Sequence, residues 1–365
     1  MSKITLALKY RPQTFDDLVE QESIKKILNY QLNNNQVKNA YLFTGPAGCG
    51  KTTTARIFAK CLNSDNKSYF ELDGASNNSV DDVRKIIEEA KFKDLTANYK
   101  IYIIDECHQL SAGAWAALLK LLEEPPMKTI FILCTTDAQK IPNTILSRVQ
   151  RFDFKRISFN NVVVRLDYIL CKERSLWVEE ECKKHIITPE QPNVEDQVFD
   201  SCPIKWEKEA VEYIARIADG GMRDAITLLD KCLSYSKQLT IQNVIKALDS
   251  VDLITMFDLL EIMYNRDLAN LVQLTEQIYM DGVDIKLFSK QFLTFILNTI
   301  KYISTNEIKL TNLSQQVKEK IDNVSFNRNF LLAALDMLLK VNELIKWETS
   351  PKTLFQAMLI SFIQE

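Results

Sequence analysis

The sequence predicts an α/β domain in residues 1–158 followed by an all-α region up to residue 365. Three observations lead to this prediction. Short apolar runs alternate with helical patterns before residue 158, which is typical of a parallel sheet. A glycine-rich turn joins one apolar run to a helical segment. From Phe159 onward the apolar residues follow helical spacing. The length of 365 residues also exceeds one typical domain.

Four apolar runs are the predicted strands, and the last two are apolar enough for a sheet covered on both faces. The runs are AYLFT (40–44), YFELDG (69–74), KIYIIDE (100–106) and TIFILCTTD (129–137). Because helical segments connect them, we expect the strands to lie parallel in one sheet.

Helices are predicted between these strands and throughout the second half of the chain. One begins at the glycine-rich turn, and another begins near Ser79, with Asp82 three residues later in a capping-box pattern. A third ends at the proline pair 125–126. Two apolar stripes at helical spacing are predicted to be core. They are Trp115, Leu118, Leu119 and Leu122, and Ile285, Phe288, Phe292, Phe295 and Ile296.

The glycine-rich turn has the spacing GxxxxGK[ST], with Gly45, Gly50, Lys51 and Thr52 at its defining positions. An apolar strand precedes it and a helix follows, which is the context that a phosphate-binding loop requires. Glycines let backbone N–H groups approach phosphate oxygens, and the helix N-terminus adds partial positive charge. Lys51 would reach the β- and γ-phosphates, and Thr52 would bind Mg²⁺. The alternative is an ordinary strand–turn–helix.

Acidic and polar residues follow the next two strands. Asp105 would hold the Mg²⁺ shell and Glu106 would polarise the attacking water, unless both carboxylates only cap the following helix. Thr136 would lie beside them, to sense the γ-phosphate or to orient the water. The alternative is that Thr136 has only a structural role, where the strand passes into a turn.

Two arginines are candidates for stabilising the transferred phosphate. Arg148, in NTILSRVQRF, is expected at the edge of the α/β domain, where an ordinary surface arginine is the alternative. An arginine finger accelerates phosphoryl transfer by about 10³–10⁵-fold. Arg223, in GGMRDA, begins a helix after two glycines and could fold over the triphosphate.

Composition excludes several classes of protein. Hydrophobic content of 46% and charged content of 25% indicate a soluble globular chain. No apolar window is long enough to span a membrane, and the N-terminus lacks a signal sequence, so a cytoplasmic location is expected. The eight cysteines form no CxxC pair, which argues against disulfides or a zinc ribbon. With a net charge of −3, nucleic-acid binding would need a local basic strip.

Taken together, these stretches resemble a clamp-loader AAA+ subunit. The chain is most similar to the γ/τ subunits of bacterial DNA polymerase III, and more distantly to the small subunits of replication factor C. The similarity is carried by LKYRPQTFDDLVEQ, GPAGCGKTT, DGASNNSVDDVR, YIIDECHQLSAGAWAALLKLLEEPP, LCTTDAQKIPNTILSRVQRFDF and GGMRDAITLLDK. It implies an AAA+ P-loop ATPase domain (1–158), a helical lid (159–238) and a C-terminal helical collar (239–365).

The resemblance also implies roles for single residues. Thr136 matches sensor 1 and Arg223 matches sensor 2. Arg148 matches the finger that acts in trans, on ATP held by the neighbouring subunit. Thr52 and Asp105 would bind Mg²⁺, with Lys51 and Glu106 as above. The adenine would be enclosed by Tyr10, Arg11, Pro12 and Val19, and the phosphates by Gly45, Pro46, Ala47, Gly48, Cys49, Gly50, Lys51, Thr52 and Thr53.

The function implied is ATP-driven loading of a sliding clamp onto primer–template DNA. The subunit would work in a ring, pentameric by analogy, with other clamp-loader subunits or with itself. Contacts with the DNA backbone suit a protein that acts at any primed site. Asn77, Asn78 and Lys120 are the candidates, and each has a solvated surface residue as its alternative.

The chain departs from the family pattern at several places. No four-cysteine module follows the phosphate-loop helix, so zinc is not expected there. Val149 stands in place of the finger motif's cysteine, and Glu20 in place of a usual glycine. The segment 171–206 looks like an insertion for partner contact. It also holds four residues that leave a zinc site open, although their wide spacing is unlike compact sites. These are Cys171, Cys182, His185 and Cys202.

Two other functions stay open at this point. One is a stator subunit that binds its neighbours without hydrolysing ATP, although the complete set of catalytic residues argues against it. The other is a related AAA+ branch-migration motor, which the stretches KYRPQTF and LLEEPP disfavour. The sequence ends where the collar is expected to end, so no τ-type extension is expected. The compact length and the Asn- and Lys-rich composition suggest a phage or otherwise divergent replication system.

Overall fold

The computed structural model describes residues 4–63, 69–81, 83, 98–184, 201–248, 253–307, 311, 313 and 315–364. The chain forms two compact units, Met1–Leu239 and Thr240–Glu365. Each unit has its own hydrophobic core. No helix within the described ranges combines the length and the apolar character that a membrane crossing requires.

The first unit is built on a five-stranded parallel sheet with strand order β2-β3-β4-β1-β5. The strands are β1 Ala40–Thr44, β2 Tyr69–Asp73, β3 Lys100–Asp105, β4 Thr129–Thr135 and β5 Gln150–Asp153. The first four confirm the sequence prediction. The fifth was not predicted, because its sequence QRFD has two charged residues and only Phe152 is buried. Since all strands run the same way, the sheet has one carboxyl edge and one amino edge.

Helices cover both faces of this sheet, as the apolar strands require. The side chains of Tyr41 and Phe43 pack on one face together with Phe58, and Leu42 packs on the other with Trp115. The helices of this part are α1 Leu6–Lys9, α2 Glu22–Asn33, α3 Lys51–Leu62, α4 Ala112–Glu123 and α5 Asn143–Leu146. Helix α4 buries most of its predicted stripe, with Leu119 half-buried. The helix predicted after Ser79 is described only at residues 80, 81 and 83.

Among the described residues, the first unit ends in three helices and a small sheet. They are α6 Phe159–Lys184, β6 Lys205–Trp206, α7 Lys208–Ile217, α8 Met222–Tyr235 and β7 Gln238–Leu239. The first part of the predicted insertion, residues 171–184, continues helix α6 without a break. Residues 185–200 lie outside the described part of the chain. Near the end of the predicted insertion, Cys202 is fully buried.

The second unit is helical, as predicted. Its helices are α9 Ile241–Leu248, α10 Leu253–Tyr264, α11 Leu268–Met280, α12 Ile285–Thr305, α13 Gln315–Val324, α14 Arg328–Leu344 and α15 Pro351–Gln364. Helix α12 is its centre, because the whole predicted stripe from Ile285 to Ile296 is buried. The rings of Phe288 and Phe292 stack at 5.9 Å, and Phe355 of α15 packs against Phe288 edge-on.

The backbone conformation at Glu20 explains why a glycine is usual at this position. Its φ of 58° lies in the left-handed region, which costs a residue with a Cβ about 1–2 kcal/mol. Its carboxylate accepts hydrogen bonds from the Ser158 N–H (2.9 Å) and the Asn161 side chain (2.7 Å) at the start of α6. Burial raises the pKa of Glu20, but these hydrogen bonds outweigh it and leave the pKa below its ordinary value.

We therefore expect Glu20→Ala to lower the free energy of unfolding by about 1–2 kcal/mol, because the strain stays and the hydrogen bonds are lost. Glu20→Gly should cost less, since it relieves the strain. The depressed pKa means that the wild-type advantage exists above the ordinary pKa of 4.5. It should disappear as the pH falls through the folded-state value. Urea unfolding at pH 7 and at low pH measures both effects, and a pH-independent difference would contradict the assignment.

Candidate nucleotide site

The phosphate-binding loop lies at the carboxyl edge of the sheet, between β1 and α3. At Gly45, φ is 146° and an added Cβ would collide with the carbonyl oxygen of Phe154, so only glycine fits. At Gly48, φ is 71° and an added Cβ would lie 3.1 Å from the Cα of Gly221. These glycines therefore let the loop pass close to two other segments of backbone.

Lys51 and Thr52 begin helix α3 and point into the loop region. Only 6% of the Lys51 surface is exposed. Its Nζ donates to the Gly45 and Pro46 carbonyls, each at 2.8 Å. The Thr52 hydroxyl donates to Asp105 Oδ2 at 2.7 Å. Lysine, hydroxyl and carboxylate thus meet in one place. Oxygen ligands such as those of Thr52 and Asp105 suit Mg²⁺, so these residues fit the implied ion.

Glu106 is held in place by two neighbours. It follows β3 with a φ of 44°, and its Oε2 accepts a hydrogen bond from the Thr136 hydroxyl at 3.0 Å. His108 Nδ1 lies 3.3 Å from the same oxygen and 3.1 Å from Thr135 Oγ1. No sequence motif assigns a role to His108. Its only signal is its place two residues after Glu106.

Two cysteines lie beneath these carboxylates and stay neutral. Burial, and then the charge of Asp105, raises the pKa of the Cys107 and Cys134 thiols well above the usual range. Burial likewise raises the pKa of Cys49 in the loop. These three cysteines serve as small buried residues, whereas Cys61 and Cys171 are exposed.

The predicted adenine-binding segment is tied to helix α6. The Tyr10 hydroxyl donates to Glu173 Oε1 at 2.7 Å, and Lys9 Nζ pairs with the same oxygen at 2.6 Å. Arg165 donates to the Tyr10 carbonyl at 3.1 Å. Burial, together with Glu173, raises the pKa of Tyr10, so the phenol keeps its proton. Two other predicted residues of this segment are half-buried, Pro12 and Val19.

Arg11 lies next to helix α3, where the charges of two other arginines, Arg56 and Arg223, act on it. Arg11 donates from Nε to Thr53 Oγ1 at 3.3 Å. Burial lowers the pKa of Arg11, and the positive charges of Arg56 and Arg223 add to this effect. Arg56 pairs with Glu71 at 2.5 Å. No sequence motif marks Arg56, which lies one helical turn after Thr52. Arg11 and Arg223 carry positive charge next to the loop, which suits a polyphosphate.

The start of helix α8 lies directly on the phosphate loop. The Met222 N–H donates to the Gly48 carbonyl at 3.1 Å, which places Arg223 next to the loop. Arg156 bridges back to the turn before α8 through an ion pair with Asp219 at 2.7 Å. The loop and the first residues of α8 are thus joined by backbone contact.

Arg148 lies at the opposite, amino edge of the sheet. It precedes β5 by two residues, and Gln150 is aligned with Tyr41 near the start of β1. The phosphate loop begins six residues beyond the level of Arg148, which is about 20 Å along the strands at about 3.3 Å per residue. Arg148 therefore does not belong to the site formed by its own loop. Val149 beside it packs against the core.

The predicted DNA contacts lie around helix α4. The Asn78 carbonyl accepts a hydrogen bond from the N–H of Ser111, the N-cap of α4. Asn77 donates from its side chain to the Asp73 carbonyl at 3.2 Å. Lys120 is exposed near the other end of the helix. Their roles stay predictions.

The zinc alternative in the segment 171–206 concerns four residues of which the structure describes only part. Cys171 is exposed and Cys202 is fully buried, while His185 and the side chain of Cys182 lie outside the described residues. Among the residues that are described, no group of three or more His, Cys, Asp or Glu side chains could hold a metal ion.

Three family models match the chain along most of its length. The model for DNA polymerase III, delta subunit, matches residues 20–78 and 69–158. The model for the ATPase lid domain of the DNA polymerase III clamp loader subunit matches residues 184–238. The model for domain III of DNA polymerase III subunits gamma and tau matches residues 239–364.

Curated relatives agree with these matches. DNA polymerase III subunit gamma of Buchnera aphidicola is 31% identical over 366 residues, which cover 93% of this chain and 91% of that protein. Subunit tau of Bacillus subtilis is 32% identical over all of this chain. The chain spans 64% of that relative and 54% of the gamma/tau subunit of Mycoplasma genitalium. Among solved structures, the Thermotoga maritima RuvB branch migration motor matches with a TM-score of 0.48 and 20% identity, over 70% of this chain and 79% of that one.

We expect Glu106→Gln to separate nucleotide binding from hydrolysis. The amide keeps the shape of the side chain but cannot accept a proton from water, so turnover should fall about 10²-fold or more. Binding of a fluorescent ATP analogue should stay within about twofold of wild type, a difference below 1 kcal/mol. Lys51→Ala is the control that should lose binding. Turnover of Glu106→Gln near the wild-type rate would contradict the role of Glu106.

We also expect Tyr10→Phe to weaken ATP binding several-fold, because it removes the hydrogen bond to a carboxylate that anchors this segment, worth about 1.5–3 kcal/mol. Tyr30→Phe is a matched control, since Tyr30 is 59% exposed. Equilibrium titration with ATP measures the effect. If Tyr10→Phe lowers the unfolding midpoint and leaves ATP affinity unchanged, the hydrogen bond from Tyr10 to Glu173 supports only the fold.

Proposed function

This chain belongs to the DNA polymerase III gamma/tau family, and we propose that it is an ATP-hydrolysing clamp-loader subunit that places a sliding clamp on primer–template DNA. We propose the following domains: an AAA+ ATPase domain in residues 1–158, a lid in 159–238 and a collar in 239–365. In relatives, the corresponding proteins are subunits of DNA polymerase III.

The observation that carries this proposal is the set of contacts at the carboxyl edge of the sheet. Thr52 bonds to Asp105 at 2.7 Å, and Thr136 bonds to Glu106 at 3.0 Å, next to a loop that contains Lys51. A merely structural turn has no need for a buried lysine and two adjacent carboxylates. Such an arrangement suits phosphoryl transfer to water.

Each residue has a proposed task in that reaction. Lys51 binds the phosphate oxygens once they replace the Gly45 and Pro46 carbonyls. Glu106 takes a proton from the attacking water, and Thr136 keeps the carboxylate oriented. Thr52 and Asp105 would hold Mg²⁺, which would offset the negative charge of the β- and γ-phosphates. Arg223 approaches the phosphates from helix α8.

Arg148 supports the proposal that hydrolysis takes place between subunits. It lies about 20 Å along the strand direction from its own phosphate loop, so it meets a triphosphate only in a neighbouring subunit. We propose that the neighbours are copies of this chain and related subunits, arranged in a ring. The DNA backbone would be contacted by Asn77, Asn78 and Lys120, since the net charge of −3 gives no general attraction to DNA.

Steady-state ATP turnover tests this function. The purified protein is measured with its sliding clamp, without DNA, with single strands and with primed template, and Lys51→Ala is the control. We expect primed template to raise turnover about tenfold, equivalent to about 1.4 kcal/mol of transition-state stabilisation. Binding of ATP without turnover under every condition would contradict the proposal and favour the stator.

A further inference from the structure

The guanidinium of Arg148 is fixed by three contacts in its own subunit. Nη1 donates to the Thr144 carbonyl at 2.7 Å and lies 3.1 Å from Ser147 Oγ. Nη2 donates to Glu123 Oε1 at 2.7 Å. A guanidinium has five N–H groups, so the Nε–H and one Nη2–H have no partner among the described residues. These remaining groups can meet a phosphate.

Glu123 is an unusual residue for its place in the fold. It is the last residue of helix α4, where a negative charge is disfavoured by the partial negative charge of the helix C-terminus. An acidic residue here therefore does not serve the helix. Its ion pair with Arg148 is half-exposed, with 45% of the Glu123 side chain and 35% of the Arg148 side chain open to solvent. Such pairs contribute little to the stability of a fold.

Helix α4 gives Glu123 a rigid base. Trp115, Leu118 and Leu122 anchor the helix in the core. The carboxylate projects from this anchored helix toward a cavity of about 480 Å³. Lys38, Asn39, Ser147 and Gln150 also line this cavity, together with Glu123 and Arg148. The pair therefore faces open space at the amino edge of the sheet, with a second cation, Lys38, beside it.

We propose that Glu123 is a positioning residue that holds Arg148 in the conformation in which it meets the triphosphate bound to a second copy of this chain. The inference rests on the proposed function. A free arginine side chain samples many rotamers, and each must be lost when it binds a phosphate. By holding one rotamer beforehand, Glu123 lowers the entropy cost in the transition state. Its effect belongs on kcat and not on the binding of ATP, because ATP is bound by the other subunit.

Glu123→Gln tests this inference in the full-length protein, with Glu124→Gln as the matched control. Glu124 is exposed and follows directly in the sequence. We expect Glu123→Gln to lower kcat about tenfold while KM for ATP, the ATP dissociation constant and the unfolding midpoint stay at wild-type values. Glu124→Gln should match wild type in all four. Glu123→Asp, which keeps the charge, should recover part of kcat.

A double variant shows whether Glu123 acts through Arg148. Arg148→Ala with Glu123→Gln should be no slower than Arg148→Ala alone, because the two residues act as one unit. An unchanged kcat for Glu123→Gln overturns the inference. So does a raised kcat, since Glu123 would then compete with the phosphate for Arg148. An added loss in the double variant overturns it too. Wild-type protein without turnover under any condition contradicts the proposed function itself and with it this inference.

Discussion

The parallel order of β3, β4 and β1 is the constraint on which the candidate site depends. Since β4 lies between the other two, the residues that follow these strands meet at one edge. The phosphate loop follows β1, Thr136 follows β4, and Asp105 and Glu106 stand at the end of β3. Two hydrogen bonds, Thr52 to Asp105 and Thr136 to Glu106, join the three strand ends. The same direction of the strands puts Arg148, which precedes β5, at the opposite edge.

A second set of contacts connects this site to the helices that follow. The Gly48 carbonyl accepts a hydrogen bond from the Met222 N–H, and Tyr10 is bound to Glu173 of α6. A phosphate in the loop would therefore meet α8 at once, and an adenine near Tyr10 would meet α6. Movement of these helices and occupancy of the site are linked by direct contact, which is how nucleotide could change the shape of a subunit.

The sequence predicted the parts of the fold that follow from local patterns. Strands β1 to β4 were predicted because their residues are apolar, whereas β5 was missed because half of its residues are charged and it lies at the sheet edge. The loop glycines and Lys51 could be found by spacing alone. His108 and Arg56 could not, because the contact of His108 with Thr135 and that of Arg56 with Glu71 arise only when separate strands and helices come together. The ion pair of Arg148 likewise joins the end of α4 to the segment between α5 and β5, which no spacing rule relates.

Mixing two inactive variants tests whether a second subunit completes the site. Arg148→Ala keeps an intact phosphate loop, and Lys51→Ala keeps an intact Arg148. Turnover is measured for each variant alone and for their mixture, on primed template with the sliding clamp. We expect little turnover for each variant alone and recovered turnover in the mixture. Wild-type turnover by Arg148→Ala alone would contradict it.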